Sequence, residues 1–314
     1  MDQTNKTVAT YFIITGFSER TALQVPIFLM VLLIYLITIG GNITILLLVC
    51  TDHHLHTPMY FFLTNLSMVD ISCSTITLHK SLEAFLFGDK TVSIFGCLIQ
   101  IFIYLSLLCD ELLILTAMGY DRYVAICNPL HYHTIMNPKL CGILSTVCWT
   151  WGVIETIPIF IELLGFTCYR SYKLNHFFCD IVPLKKLSCS DNTYLELYML
   201  VVGTFVATFC PFLLTFISYV FIIFTILKIR SSVERLKAFY TCSSHLTVVI
   251  LLYSSLIFQY VIPQSFVNLD LNKLLSLFNT AMLPILNPLI YSLKNKDVKA
   301  AIKRRLGISC LSTK

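Results

Sequence analysis

The stretch Met118–Cys127 reads MGYDRYVAIC and closes an apolar run that extends over residues 97–120. Two adjacent residues of opposite charge, Asp121 and Arg122, stand where that apolar run ends. An arginine at the edge of a membrane can simply reach towards the headgroups, whereas an aspartate beside it favours a held ion pair. Breaking such a pair can act as a switch. The stretch therefore predicts a membrane-spanning helix with either a snorkelling arginine or a switch at one end.

The rest of the chain has the composition of a membrane protein. Of its 314 residues, 57% are hydrophobic and 12% are charged, and the mean hydropathy is +0.80. Apolar stretches of about 18 residues or more mark helices that span a bilayer about 30 Å thick. Because backbone in lipid must satisfy its own hydrogen bonds, we expect one all-α bundle of seven transmembrane helices. The predicted spans are roughly 25–49, 58–80, 97–120, 140–161, 195–227, 238–262 and 271–293.

Seven spans place the two ends of the chain on opposite sides of the membrane. We expect an extracellular N-terminal tail (1–24), a seven-helix domain (25–293) and a cytoplasmic tail with a surface helix (294–314). Asn5 opens a glycosylation sequon in the first tail, and the excess of Lys and Arg lies in the third inner loop and the second tail. Both features favour an extracellular N-terminus. The first 20 residues lack the apolar core of a cleavable signal peptide, so the first span is expected to direct insertion.

Of the 13 cysteines, 12 fall into two groups, and Cys310 lies apart in the C-terminal tail. Most lie within or at the edges of spans, where they are expected to pack as small apolar residues. Another four lie on the outer side. One is at the outer end of the third helix, and three are in the longest loop, between the fourth and fifth helices. In an oxidising exterior four cysteines suit two disulfides, and the residues alone leave three pairings open. These four are Cys97, Cys168, Cys179 and Cys189.

Acidic residues inside the predicted spans are candidates for function, because a charged group in lipid is costly. Asp70 lies in the second helix, Asp110 and Glu111 in the third, and Glu155 in the outer half of the fourth. For each of them a second interpretation stays open. The acid is then neutral, or bonded to a neighbouring hydroxyl, and only ties helices together.

The third helix joins an outer position to the inner charged pair. Tyr104 and Arg122 are 18 residues apart, which is five full turns and therefore the same face, about 27 Å along the axis. Leu108, Glu111, Leu115 and Met118 fall near that line. Such a stripe suits a protein that senses outside and responds inside.

These residues also carry a resemblance to a family. MGYDRYVAIC resembles the end of the third helix in vertebrate olfactory receptors, of the land-vertebrate class, within the rhodopsin-like G-protein-coupled receptors. The likeness runs nearly end to end, with Gly119 as a departure where alanine is usual. Further matching segments are LHTPMYFFLTNLSMVD (Leu55–Asp70), HFFCD (His176–Asp180), KAFYTCSSHLTVV (Lys237–Val249) and PILNPLIYSLKNKDVK (Pro284–Lys299).

The resemblance implies a receptor that binds small volatile odorants and raises cyclic AMP through a stimulatory, olfactory-type G protein. It also implies localisation in the plasma membrane of olfactory cilia, and no catalytic chemistry. Apolar walls would give affinity and a few hydroxyl groups orientation. The implied ligand residues are Tyr104, Leu105, Leu108, Cys109, Ile181, Gly203, Ala207, Leu256, Tyr260, Leu277 and Thr280.

The same resemblance implies roles in signal transmission. Asp121, Arg122, Tyr123 and Tyr219 would form the inner switch. Tyr253 would be a hinge below the ligand, Asn287 and Pro288 would bend the seventh helix, and Tyr291 would swing inward. Asp70 and Glu111 would be a buried acidic pair that holds a sodium ion or a proton, with no other cofactor. Cys97 would pair with Cys179, which leaves Cys168 for Cys189.

Two further predictions concern the C-terminal tail. The segment NKDVKAAIKRRL (295–306) carries Val298, Ala301, Ile302 and Leu306 at helical spacing with Lys and Arg between them, which is typical of a helix on the inner membrane surface. Cys310 is either acylated or unused. Lipid is thus an expected partner, and nucleic acid is not.

Other functions are less consistent with the sequence. A transporter or channel predicts two matching halves or helices broken at matching positions, and the spans show no such correspondence. A membrane enzyme predicts a motif such as HExxH, GxSxG or a P-loop, and the sequence contains none of these. Within the receptor class, the alternative is a receptor for a non-odorant small molecule outside the nose.

Overall fold

The computed structural model describes residues 10–17, 21–261, 269–293 and 296–305. In these ranges seven helices are long and apolar enough to cross a membrane, which confirms the predicted bundle. Most extend beyond the predicted bounds, because polar residues at their ends still continue the helix. They are α1 (Thr21–Thr51), α2 (Pro58–Phe87), α3 (Ile94–Cys127), α4 (Pro138–Leu164), α5 (Thr193–Lys228), α6 (Ser232–Tyr260) and α7 (Leu271–Tyr291).

Local sequence explains several of these helix ends. Ser93 caps the start of α3 by accepting a hydrogen bond from the backbone N–H of Gly96 at 3.0 Å. Asn137 does the same for α4 through Leu140, at 2.9 Å. Gly88 ends α2 with a φ of 74°, a left-handed conformation in which glycine carries no side-chain penalty.

Three of the spanning helices contain turns of π type, in which each backbone bond reaches five residues back rather than four. In α5 they extend over Met199–Phe209, in α6 over Ile257–Val261 and in α7 over Phe278–Met282. Within α5 the hydroxyl groups of Thr204 and Thr208 follow the same spacing, because each donates to the carbonyl five residues earlier, at 3.2 and 2.8 Å. These turns widen the three helices in the halves nearest the predicted extracellular side, which we call the outer halves, the opposite side being the inner side.

A small sheet that the sequence did not predict covers the outer side. β1 (Tyr11–Ile14) lies between β2 (Thr91–Ser93), which is antiparallel to it, and β3 (Lys173–Leu174), which is parallel. Phe12 of β1 is fully buried, with its ring edge-on to Tyr169 at 4.9 Å. The strand Tyr11–Ile14 lies within the segment predicted as the N-terminal tail (1–24).

The long outer loop is folded and covalently anchored. Cys97 is bonded to Cys179 and Cys168 to Cys189, the two pairs that the resemblance implies. The loop contains a helix, Ile181–Leu187, which we call the loop helix; Asp180 caps it by accepting from the Val182 N–H at 3.3 Å. The loop therefore forms a fixed lid on the bundle.

The inner side carries short helices and a surface helix. The short ones are His53–Leu55, Pro129–His131 and Tyr132–Ile135. The surface helix, α8 (Lys296–Arg305), buries Val298 and Ala301 against the bundle, and its Arg304 binds Asp52 at 2.6 Å. Asn5 and Cys310 lie outside the described residues.

Candidate functional site

A cavity of about 740 Å³ opens between the outer halves of the helices. Side chains of α3, α4, α5, α6 and the loop helix form its walls. The volume lies in the range of pockets for small organic molecules. The lining residues that were predicted from the resemblance are Leu105, Leu108, Cys109, Ile181, Gly203, Ala207, Leu256 and Tyr260.

Tyr104, Leu277 and Thr280, which were also predicted, lie outside this cavity. Tyr104 is 1% exposed, because Phe178 of the long loop packs edge-on against its ring at 5.1 Å. The Thr280 hydroxyl points along its own helix and donates to the Ser276 carbonyl at 2.8 Å. Leu277 is partly buried and packs into the helix core. These three residues do not line the cavity, and their contact with a ligand stays a prediction.

The cavity also has polar lining residues that were not predicted from the sequence. Glu155, whose direction the sequence left open, faces the cavity and is 7% exposed. Its carboxylate accepts a hydrogen bond from the Cys109 thiol at 3.4 Å. The outer end of the cavity carries charged loop residues, including Lys185, which pairs with Glu196 at 2.9 Å. An irregular loop gives no periodic signal from which these contacts could have been predicted.

The lid reaches the cavity through Asp180 and the loop helix. Gln100 of α3 accepts a hydrogen bond from the Cys179 N–H at 2.9 Å, and the Asp180 carboxylate accepts from Gln259 and Ser276, each at 3.3 Å. Burial raises the pKa of Asp180 to about 6. This network joins the loop to both α6 and α7, next to the cavity residue Tyr260.

The neighbouring His176 also belongs to the lid, and it is 1% exposed. Burial lowers the pKa of this imidazole to about 3, and Lys273 contributes to the shift in the same direction. The ring is stacked on Phe177 with centroids 4.8 Å apart. His176 is therefore neutral in the folded lid at physiological pH.

The stripe along α3 is continuous and buried. Leu108 lines the cavity, and Glu111, Leu115 and Met118 below it are at most 4% exposed. Arg122 lies at the inner end, as the helical phase predicted. A packed side of one helix thus connects the cavity wall to the inner face.

At the inner end the predicted ion pair is formed. Arg122 donates to Asp121 from Nη2 at 2.5 Å and from Nε at 3.0 Å, and Asp121 is fully buried. Tyr132, which the sequence did not single out, donates to the other Asp121 oxygen at 2.8 Å. The carboxylate is therefore held from two sides, and Arg122 is kept against it.

The other predicted switch residues surround this pair. The Tyr219 hydroxyl lies 2.8 Å from His245 Nδ1, and His245 Nε2 lies 2.9 Å from the Leu115 carbonyl. This links α5, α6 and the α3 stripe. Tyr123 lies beside Phe221, with ring centroids 6.0 Å apart. His131, in the short helix that follows α3, is exposed.

Asn287 of α7 joins the inner half of that helix to α2. Its amide donates to both oxygens of Asp70, at 3.0 and 3.1 Å, and Glu111 interacts electrostatically with the same carboxylate. Pro288 packs beside Gly41, where an added Cβ would come within 3.1 Å of the proline ring. The structure therefore brings the predicted acidic pair together with the predicted bend in α7.

Two predicted tyrosines lie around this region. Tyr253 is 3% exposed and packs edge-on to Phe212 of α5 at 5.1 Å. Tyr291, at the inner end of α7, is buried as well. Both tyrosines are thus packed between helices.

The sequence matches known proteins along nearly its whole length. The family model of olfactory receptors covers residues 31–308. The olfactory receptor 5AR1 of Mus musculus is 43% identical over 307 residues, which are 98% of this chain and 99% of the relative. The human olfactory receptors 8U8 and 8D1 are 43% and 41% identical over 306 residues, which are 97% and 98% of this chain and 95% and 99% of those proteins.

Proposed function

The chain belongs to the olfactory receptor family of seven-helix G-protein-coupled receptors, and on that premise we propose that it binds small volatile molecules in the 740 Å³ cavity. Binding raises cyclic AMP through a stimulatory, olfactory-type G protein. The family is one of receptors rather than enzymes, and a chain with seven spans is a multi-pass protein of the plasma membrane.

One observation carries this proposal. The buried stripe of α3 connects Leu108, at the cavity wall, to the Asp121–Arg122 pair at the inner end. A ligand that pushes on this wall, or draws the surrounding helices together, changes the packing next to the pair. Because packed interfaces have discrete arrangements rather than continuous ones, a small shift can release Arg122 towards a G protein.

The proposal includes an orientation and an ion. The N-terminus and the disulfide-bonded lid face outside, where the exterior is oxidising, and α8 with its basic residues faces the cytoplasm of olfactory cilia. Asp70, Glu111 and Asn287 would hold a sodium ion or a proton. In support, Glu111 Oε1 and Asn287 Oδ1 are buried oxygens without a hydrogen-bond donor among the described residues. Oxygen ligands of this kind suit a hard cation.

The test is a cyclic-AMP reporter assay with a panel of odorants in cells that display the receptor. We expect at least one odorant to raise cyclic AMP, and we expect Arg122→Ala to abolish the response at equal surface expression. Lys139→Ala, which removes an exposed charge near the same end of the bundle, is the matched control and should respond normally. Transport of a substrate without a G protein would overturn the proposal.

A further inference from the structure

Glu155 is a buried acid for which the described residues supply no countercharge. Its side chain is 7% exposed and lines the cavity. The carboxylate accepts a hydrogen bond from the Cys109 thiol at 3.4 Å, and Trp151 lies close to it. Both neighbours are neutral, and a thiol is a weak donor. Among the described residues no Lys, Arg or His forms an ion pair with Glu155.

The position of Glu155 is fixed by the backbone around it. The Tyr198 hydroxyl of α5 donates to the Glu155 carbonyl at 2.9 Å. One residue along α4, Thr156 exchanges a hydrogen bond with Ser106 of α3 at 2.6 Å. The neighbouring helices thus hold this turn of α4 from both sides. A side chain held in this way offers a ligand a pre-organised acceptor.

Apolar side chains supply much of the cavity wall, although Thr156, Thr204 and Thr208 also line it. Leu105 and Leu108 of α3 and Ile159 of α4 line the same cavity. A buried carboxylate is costly unless a cation or strong donors compensate it. An ammonium group does both, because it carries a positive charge and several N–H donors.

We propose that the preferred ligand of this receptor is a small monoamine, whose ammonium N–H bonds to Glu155 and whose hydrocarbon body contacts the leucine and isoleucine side chains. The inference rests on the proposed function, because it names the ligand class of the same cavity. The outer end does not contradict it. Glu196 neutralises Lys185 there, and Lys186 and Arg170 are exposed to water, where salt screens their charge beyond about 8 Å.

A carboxylic acid fits the site less well than an amine. The exposed Arg170 and Lys186 would attract it at the entrance, but deeper in the cavity its charge would meet Glu155. Two carboxylates repel each other, and one must be protonated to share the site. A ketone or an ester remains a competing ligand, because a protonated Glu155 can donate a hydrogen bond to a carbonyl oxygen.

The experiment compares ligands that share a skeleton but differ in the polar group. The probes are cyclohexylamine, benzylamine and hexylamine, each beside the corresponding alcohol and a ketone of similar size. In the cyclic-AMP assay we expect at least one amine to activate at a concentration about tenfold or more below that of its alcohol. Glu155→Gln keeps the size and one acceptor oxygen, replaces the other oxygen by an NH2 donor and removes the charge. It should cost the amine at least about tenfold in potency and change alcohol potency by less than about threefold.

Glu162→Gln is the control, because it removes a carboxylate from the same helix, two turns away and outside the cavity lining. It should leave the amine response unchanged. If the alcohols or ketones activate the wild type and the amines do not, the inference is wrong. It is equally wrong if Glu155→Gln leaves the amine potency intact.

A binding measurement separates this inference from the proposed function. Purified receptor in nanodiscs is heated with each probe, and the shift of its unfolding temperature reports binding without any G protein. Stabilisation by amines, lost in Glu155→Gln, together with no cyclic-AMP response, would support the ligand class and contradict the signalling proposal. Absence of both amine stabilisation and amine signalling would overturn the ligand class.

Discussion

Two glycines of the bundle, Gly119 and Gly152, differ in what a methyl group would meet. A Cβ on Gly119 would lie 3.5 Å from His245 Cε1 and 3.5 Å from Thr215 Cγ2, which is ordinary van der Waals contact. Alanine also favours a helix interior by about 1 kcal/mol over glycine. We therefore expect Gly119→Ala to raise the unfolding temperature of the purified receptor slightly and to preserve surface expression.

For Gly152→Ala we make the opposite prediction, a loss of stability. Its added Cβ would lie 2.6 Å from the Ser106 carbonyl oxygen and would overlap the Asp110 carboxylate. Because that neighbour is backbone, α3 and α4 must move apart, at a cost of about 1–3 kcal/mol. We expect Gly152→Ala to reduce surface expression and the unfolding temperature. Equal behaviour of the two variants would contradict this account of helix contact.

At the residue scale, candidate residues could be named from the sequence, but their contacts in the structure could not be predicted as well. Glu155 was recognised as an acid within a span, but the phase of one helix does not tell which neighbour lies opposite. Glu155 lines the cavity, whereas Asp110, also an acid within a span, lies against Gly152 of α4 and outside the cavity lining. Tyr104 lies on the predicted face, yet a loop residue, Phe178, covers it.

At the scale of elements, we expect the stability of the contact between the lid and helices α6 and α7 to depend on pH, because Asp180 forms that contact. The pKa of Asp180 is raised to about 6 in the folded protein from an ordinary value of 3.8. A raised pKa contributes stability that is complete below the ordinary value and is lost as pH rises through the folded value. Asp180 thus stabilises the lid at pH 5 more than at pH 7.5.

The check is Asp180→Asn, which cannot titrate but keeps the size of the side chain. Relative to this variant, the wild type should lose roughly 2–4 °C of unfolding temperature between pH 5 and pH 7.5. His176 titrates in the opposite sense, because its pKa is lowered to about 3. It is present in both proteins, so the difference between them isolates Asp180. A difference that grows in the other direction would contradict the burial of this carboxyl.

Among the elements, the membrane spans could be predicted from the sequence, whereas the outer sheet and the π turns could not. Each span is a continuous apolar run, and lipid leaves such a run no alternative to a helix. The strand Tyr11–Ile14 depends on partners about 80 and 160 residues away in the sequence, so no local pattern announces it. The π turns of α5 could not be predicted either, because a uniformly apolar segment has no hydrophobic periodicity that would indicate the helix type.

At the scale of the whole molecule, the cavity and the inner ion pair should be coupled in both directions. Tyr132→Phe removes the hydroxyl that donates to Asp121. A hydrogen bond to a charged group contributes about 1.5–3 kcal/mol, so its loss shifts the equilibrium towards the state in which Arg122 is released. We expect a higher basal cyclic-AMP level per receptor at the surface.

Reciprocity makes this prediction stringent. A shift towards the active state must also raise the affinity for any agonist that prefers that state. The agonist concentration for half-maximal response should therefore fall in Tyr132→Phe. Tyr120→Phe removes a hydroxyl from a tyrosine of α3 that is 38% exposed, and it should change neither quantity. A basal rise without a gain in agonist potency would contradict the coupling.

The π turns of α5 have a consequence for how such receptors diversify. A π turn accommodates about one residue more than an α turn, so loss of a single codon within Met199–Phe209 restores a regular helix. Every side chain on the outer side of that point would then rotate by about 100° around the helix axis. Met199 and Leu200 would therefore contact different residues. Tyr219 and the inner end would keep their register. One small deletion or insertion can thus give a gene copy a new chemical preference while its signalling half is inherited intact.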